Sequence, residues 1–251
     1  MNVVVDKSLV NYQIQGNGPA VVLLHGWGDN LSTFKELTKY IKSDYTVISL
    51  DLLGFGASEP PKDTYDLEKY AKFVSDFLHK IDQRHVYAFV GHSNGGAICI
   101  RGISSGLLKS EKLVLLASSG VRSVYKRRKK ILRLAAKTAK IPTRLLPKST
   151  QLKLKKKAYK TIGSDLFVAE HLQDTFKNVV TEDVVHEAAM ISEPTLLLYG
   201  TNDDSTPVIY GEKFAKQIEN SELKIIDGAD HFLHHTHSKE VNKLVMDFLD
   251  K

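Results

Sequence analysis

Eight short apolar runs punctuate the chain, at residues 2–5, 9–14, 20–24, 45–50, 86–90, 112–117, 195–199 and 222–226. Their lengths and their Val, Ile, Leu and Tyr content suit strands. Helical patterns separate most of the later runs. Thr33 to Lys42 carries Phe34, Leu37 and Ile41, and Leu67 to Ile81 carries Tyr70, Phe73, Val74, Phe77, Leu78 and Ile81 at a 3.6-residue period. Residues 94–107, 207–219 and 238–250 repeat the pattern, the last with Val241, Leu244, Val245 and Phe248. Two early strands followed by alternating strand and helix predict an α/β fold, a mostly parallel sheet with helices on both faces. The alternation fails from 121 to 193, where helix-like pieces are interrupted by Pro142 and Pro147. That stretch reads as a helical cap inserted into a core domain built from 1–120 and 194–251.

Charge sharpens the picture of the insertion. Residues 121–161 hold 16 of the 35 Lys and Arg and no Asp or Glu, leaving the rest of the chain with 19 basic and 29 acidic residues. The net charge of +6 therefore belongs to one segment. Tyr125 to Lys137 has a basic amphipathic pattern. Such a face fits an anionic lipid, an acidic acyl carrier protein or a carboxylate-bearing substrate, and equally a plain solvated surface. Nucleic acid is not expected, because no aromatic or motif support accompanies the charge. No apolar stretch approaches 18 residues, so no transmembrane helix is expected. The start, Met1-Asn2-Val3-Val4-Val5-Asp6, does not read as a signal peptide. The single cysteine, Cys99, reads as a core residue, and a reduced cytoplasmic setting is the expectation.

The chemistry begins at Gly91-His92-Ser93-Asn94-Gly95, which lies between a strand-like run and a helix-like one. A G-x-S-x-G run in that context presents its serine on a sharp turn above the sheet edge. A serine hydroxyl needs a base within hydrogen-bond reach, and the base needs a carboxylate to fix its tautomer. His231, just past the last strand, is the candidate base. Asp203 and Asp204, past the strand 195–199, are both candidate acids. The chain order serine, acid, histidine suits this elbow. Backbone N–H donors for a developing oxyanion are expected from Asn94 and from Trp27, in His25-Gly26-Trp27-Gly28 after the third strand.

These pieces, with Asp51-Leu52-Leu53-Gly54-Phe55-Gly56-Ala57-Ser58, Gly200-x-x-Asp203-x-x-x-Pro207 and Gly228-x-x-His231-Phe232, resemble the α/β-hydrolase fold superfamily from about residue 9 to the C-terminus. The resemblance selects Asp203 over Asp204 and makes Asp51 structural. Serine at the elbow sets the chain apart from the haloalkane dehalogenases and epoxide hydrolases of that superfamily, which use aspartate. The His25 loop is similar to that of bacterial carboxylesterases, including those that cleave a methyl ester from an acyl chain on a carrier protein. Those enzymes usually carry Leu or Met where this chain has Asn94.

The resulting expectation is a serine carboxylesterase-like hydrolase acting on a small-molecule ester or acyl substrate through an acyl-enzyme. Ser93, Asp203 and His231 are its catalytic residues, and Trp27, Phe232 and Leu233 its pocket candidates. A carbon–carbon bond hydrolase, an acyltransferase, a cofactor-free haloperoxidase and an inactive binding module are the alternatives. No organic cofactor or metal is implied. The run His231-Phe232-Leu233-His234-His235-Thr236-His237 is read as one base plus histidines that cap or face the last helix, because no second ligand cluster is visible in sequence. His25 and His92 are expected to hydrogen-bond backbone groups.

Overall fold

A computed structural model describes residues 1–122 and 170–251. The eight apolar runs form one eight-stranded sheet of order β1-β2-β4-β3-β5-β6-β7-β8. Strands β1 (Asn2–Val5) and β2 (Ser8–Gln15) pair antiparallel, and β2 runs antiparallel to β4 (Thr46–Leu50). The remaining strands are parallel: β3 (Ala20–Leu24), β5 (Ala88–His92), β6 (Lys112–Leu116), β7 (Thr195–Gly200) and β8 (Ser221–Ile226). The α/β reading holds.

The central strands are continuously apolar because helices cover both sheet faces. Successive side chains then alternate between two cores. Val22 and Leu24, Phe89, Leu113 and Leu115, and Leu197 and Tyr199 enter one core. It also holds residues of α2 (Leu67–Lys80), α3 (Asn94–Ser104) and α5 (Val208–Gln217). Val21 and Leu23, Ala88 and Val90, Val114 and Leu116, and Leu196 and Leu198 enter the other. There they join Leu37 and Ile41 of α1 (Lys35–Ile41) and Val241, Val245 and Phe248 of α7 (Ser238–Leu249). Edge strand β8 is buried only at Ile226 and carries Glu222 and Lys224, whose charge protects an open edge from further pairing.

Helix α2 shows how local sequence sets an element. The Asp66 side chain accepts from the Lys69 N–H at 2.7 Å and caps the first turn. Replacing such a cap by Ala costs about 1 kcal/mol. Tyr70, Phe73, Val74, Phe77 and Leu78 then form its buried stripe. Cys99 is buried within α3, and burial pushes its thiol up, so it packs as a small apolar residue.

Most of the basic segment, with Pro142 and Pro147, lies outside the described residues. The described end of the insertion contains no strand. After a single turn at Glu170–Leu172 comes α4 (Gln173–Val179), and another turn at Glu187–Met190 precedes β7. This segment is pinned to the core. The Tyr65 N–H donates to Thr175 Oγ1 at 3.0 Å, and the Leu67 N–H donates to Glu182 Oε1 at 2.9 Å. Arg101 reaches from α3 to both Glu182 and Glu187, each at 2.9 Å.

Candidate active site

Parallel strands deliver their carboxyl ends to one edge of the sheet, where crevices open. Leu24 pairs with Gly91, His92 with Leu116, and Gly200 with Ile226, so the loops after β3, β5, β6, β7 and β8 emerge together. Ser93 sits on the tight turn between β5 and α3 with φ 51° and ψ −114°. A non-glycine residue held there stores about 1–3 kcal/mol of strain. The turn is held by its own backbone. The Ser93 N–H donates to Leu116 O at 3.0 Å, and its carbonyl accepts from the N–H groups of Gly96, Ala97 and Ser119. Gly95 permits the close approach of α3 to β3, since a Cβ there would stand 2.0 Å from the Leu24 carbonyl oxygen.

Three sequence-predicted residues meet at this edge. Ser93 Oγ lies 3.0 Å from His231 Nε2, and His231 Nδ1 lies 2.8 Å from Asp203 Oδ2. The consistent tautomer has Nδ1–H donating to Asp203, which leaves Nε2 to accept from the serine hydroxyl. Asp203 is buried and well satisfied. Its Oδ1 accepts from the Ser205 and Thr206 N–H groups at 2.7 and 2.9 Å, and Thr206 Oγ1 is 2.7 Å from Oδ2. Burial opposes its ionisation, but the bonds from His231 and Thr206 outweigh it and hold the carboxyl below its usual range. Asp204 is exposed beside it.

The loop after β3 packs against the same turn. A Cβ on Gly26 would lie 2.9 Å from His92 Nδ1 and 3.2 Å from Ser93 Cβ, so glycine suits this close approach of the backbone. Among the described residues, no hydrogen bond uses the backbone N–H of Trp27 or of Asn94. The Trp27 ring packs between Phe55 at 4.9 Å and Phe176 of α4 at 5.1 Å. Phe232 is 45% exposed, with its ring 5.4 Å from that of His231. Leu233, expected on the pocket wall, is instead fully buried in the core that contains Leu37 and Val241. The short helix α6 (Leu233–Thr236) starts at this residue and turns it inward.

The fold is shared with known enzymes. Residues 21–244 match the Alpha/beta hydrolase family. The chain belongs to that family. A non-heme chloroperoxidase of Kitasatospora aureofaciens is 27% identical over 96% of this chain and 95% of its own length. A 2-hydroxy-6-oxononadienedioate/2-hydroxy-6-oxononatrienedioate hydrolase of Paraburkholderia xenovorans is 24% identical over 96% of this chain and 90% of its own. The crystal structure of an enol-lactonase from Burkholderia xenovorans superposes with a TM-score of 0.78, at 21% identity over the whole of both chains. Among the described residues, no helix of this alpha/beta hydrolase is long and apolar enough to cross a membrane.

Two groups of histidines occupy the neighbourhood of the turn. His25 is buried, donates from Nδ1 to Gly26 O at 2.7 Å and accepts the Leu52 N–H on Nε2 at 3.0 Å. His92 donates from Nε2 to the His231 carbonyl at 2.9 Å. Both therefore serve the backbone, as the sequence suggests. His234 and His235 depart from expectation. Rather than capping α7, both place Nε2 2.9 Å from Thr33 Oγ1, in the single turn Leu31–Phe34 ahead of α1. Burial, with the neighbouring histidines, holds His92 well below the usual imidazole range and His234 down to about 3. Both rings are neutral at pH 7.

Asp51 holds the loop that bears Phe55. Its Oδ1 accepts the Leu31 N–H at 2.7 Å, and its Oδ2 accepts from Asn11 Nδ2 and the Ala57 N–H, both at 2.8 Å. Sequence reasoning missed Thr206. Its hydroxyl lies 2.7 Å from Asp203 Oδ2 and 2.9 Å from Ala117 O, joining the loops after β7 and β6. The available signal was a threonine three residues after an aspartate, a pattern that folds back on its own carboxylate.

Proposed function

We propose that this chain is a serine hydrolase that cleaves a carboxylic ester of a small molecule through an acyl-enzyme. The observation that carries the reading is the continuous chain from Ser93 Oγ through His231 to Asp203, with separations of 3.0 and 2.8 Å. In the proposed reaction Ser93 Oγ bonds to the acyl carbon while its proton passes to His231 Nε2. The carbonyl electrons move onto oxygen, held by the N–H groups of Trp27 and Asn94. Each such donor is worth roughly 3 kcal/mol of barrier. The carbon–oxygen bond to the alcohol then breaks, and the imidazolium returns the proton to the departing oxygen. Water, deprotonated by His231, attacks the acyl carbon and releases the acid and Ser93. Asp203 stays ionised, orients the ring and stabilises the imidazolium.

In this reading the insertion at 121–193 covers the cleft and sets acyl size. The packing of Trp27 against Phe176 supports that role. The test is labelling by a fluorophosphonate, followed by a p-nitrophenyl ester series of increasing chain length. Labelling at Ser93 with turnover of at least one ester is the expected result. No labelling, with no turnover, would remove the reading in favour of a binding module. The chloroperoxidase and dienedioate hydrolase relatives set the other arms, peroxide with a carboxylic acid and a dienone substrate. Turnover confined to either arm would move the chemistry there.

A further inference from the structure

Beside the serine–histidine–aspartate chain lies a second histidine–carboxylate group that the reaction does not use. Asp29 comes from the loop after β3, His92 from the end of β5 and His234 from α6. One ligand-type atom of each lies within 4.8 Å of those of the other two. The two imidazole rings are buried, with 1% and 2% exposure, and their centroids are 4.4 Å apart. Their hydrogen bonds leave matching atoms bare. The His92 Nε2–H is committed to the His231 carbonyl, and His234 Nε2 to Thr33 Oγ1. We assign Nε2–H to His234, with the Thr33 hydroxyl donating to His235. Among the described residues, Nδ1 of His92 and Nδ1 of His234 are buried with no partner at all.

A buried polar atom without a partner is costly, and one ligand shared by these two neighbouring rings would satisfy both. Each ring is anchored through its other nitrogen. That is the arrangement by which metal-ligating histidines are held, the second N–H fixed on a carbonyl or hydroxyl so that the first points at the ion. Asp29 adds an anionic oxygen, and its Oδ1 is oriented by the Asn30 N–H at 2.9 Å.

We propose that Asp29, His92 and His234 bind a divalent first-row transition metal ion. Two imidazoles and one carboxylate suit Zn²⁺, Co²⁺ or Ni²⁺, whereas Mg²⁺ and Ca²⁺ take oxygen-rich sets. Three protein ligands leave the remaining position to water. Ligation at about 2.0–2.2 Å draws the three atoms to roughly 3.3 Å from one another, a movement within reach of the half-buried Asp29 side chain. The ion clips together three loops: the one bearing Trp27, the turn bearing Ser93 and the segment after His231. Its role is to hold them, and the proposal is independent of the ester reading. In sequence the histidine run has no second ligand cluster. The fold supplies one, from residues 29 and 92.

The test uses the full chain stripped of metal by a chelator. Zn²⁺ is titrated by calorimetry and Co²⁺ by visible absorption. The expected result is one saturable ion per chain and a raised thermal unfolding midpoint with Zn²⁺. Asp29→Asn and His234→Gln should each weaken binding at least about tenfold. The exposed His79→Gln and the triad variant His231→Gln should leave it unchanged. No saturable binding by the wild type, unchanged binding in both ligand variants, or loss of binding in His231→Gln would overturn the proposal. Should His234→Gln fail to fold by circular dichroism, Asp29→Asn decides alone, because that side chain is only partly buried and the change keeps its volume.

Discussion

Two histidine–carboxylate groups stand side by side in this molecule, with the rings of His92 and His231 4.9 Å apart, and they are built on opposite terms. In Ser93–His231–Asp203 both nitrogens of His231 have partners, and the aspartate is wrapped by Thr206 and the Ser205 N–H. In Asp29–His92–His234 each buried ring keeps one nitrogen bare. A fully partnered chain of donors and acceptors suits relaying a proton, because every state of the proton has a place to rest. An anchored ring with a buried, unshared lone pair suits accepting a ligand, because the penalty of the empty atom is removed on binding. The histidines also differ in burial, His231 being partly exposed and His92 and His234 buried.

The comparison breaks most readily at Ser93. Ser93→Ala should cut ester turnover by about 10⁶-fold while the fold is kept. A variant that retains turnover would take the reaction away from this group. Next comes the acid. Asp203→Asn should cost about 10⁴-fold in turnover by favouring the wrong His231 tautomer. Asp204→Asn should stay near wild type, and the opposite ranking would transfer the role one residue on. The scaffold shared by both groups is tested at Gly95. Gly95→Ala pushes a methyl against the Leu24 carbonyl and should destabilise by about 3 kcal/mol in urea unfolding. A neutral result would mean that α3 is free to shift.

Smaller effects sharpen the contrast. Thr206→Val removes a hydroxyl from between Asp203 Oδ2 and Ala117 O, and should cost about 1–2 kcal/mol of stability. It should lower turnover without abolishing it. A stability cost with unchanged turnover would make Thr206 a strut only. The smallest effect is on acid stability. The folded pKa of Asp203 is lowered, so below the unfolded value near 3.8 the unfolded chain binds protons that the folded chain does not. The ionised carboxylate thus stabilises fully above that value, and the contribution is lost as pH falls through the folded one. Urea midpoints of Asp203→Asn should lack this acid-side decline, and an identical decline in the variant would refute it.

Much of this was legible in the chain. The eight runs became the eight strands because burial on both faces of a parallel sheet leaves little but Val, Ile, Leu and aromatic residues to fill them. Helix α2 followed its 3.6-residue stripe from the Asp66 cap to Lys80. The elbow glycines, the loop at His25 and the order of Ser93, Asp203 and His231 pointed to one edge of the sheet, and the side chains are within hydrogen-bond reach there. Less legible were side chains whose partners come from other loops. Leu233 read as a pocket wall because it follows His231, yet the turn of α6 carries it into the core. His234 and His235 read as residues that cap or face α7 because that helix is their neighbour in sequence, yet their rings reach Thr33, 201 and 202 residues away.

The sequence by itself determined the α/β architecture, the strand and helix succession and the three residues worth joining at the elbow. Periodicity and turn chemistry are local, and each residue reports its own burial through them. Only the tertiary structure decided that Thr206 braces Asp203 and that Asp29, His92 and His234 converge. Those meetings depend on the register of parallel strands and on the angles of three loops, quantities that no short window of sequence contains.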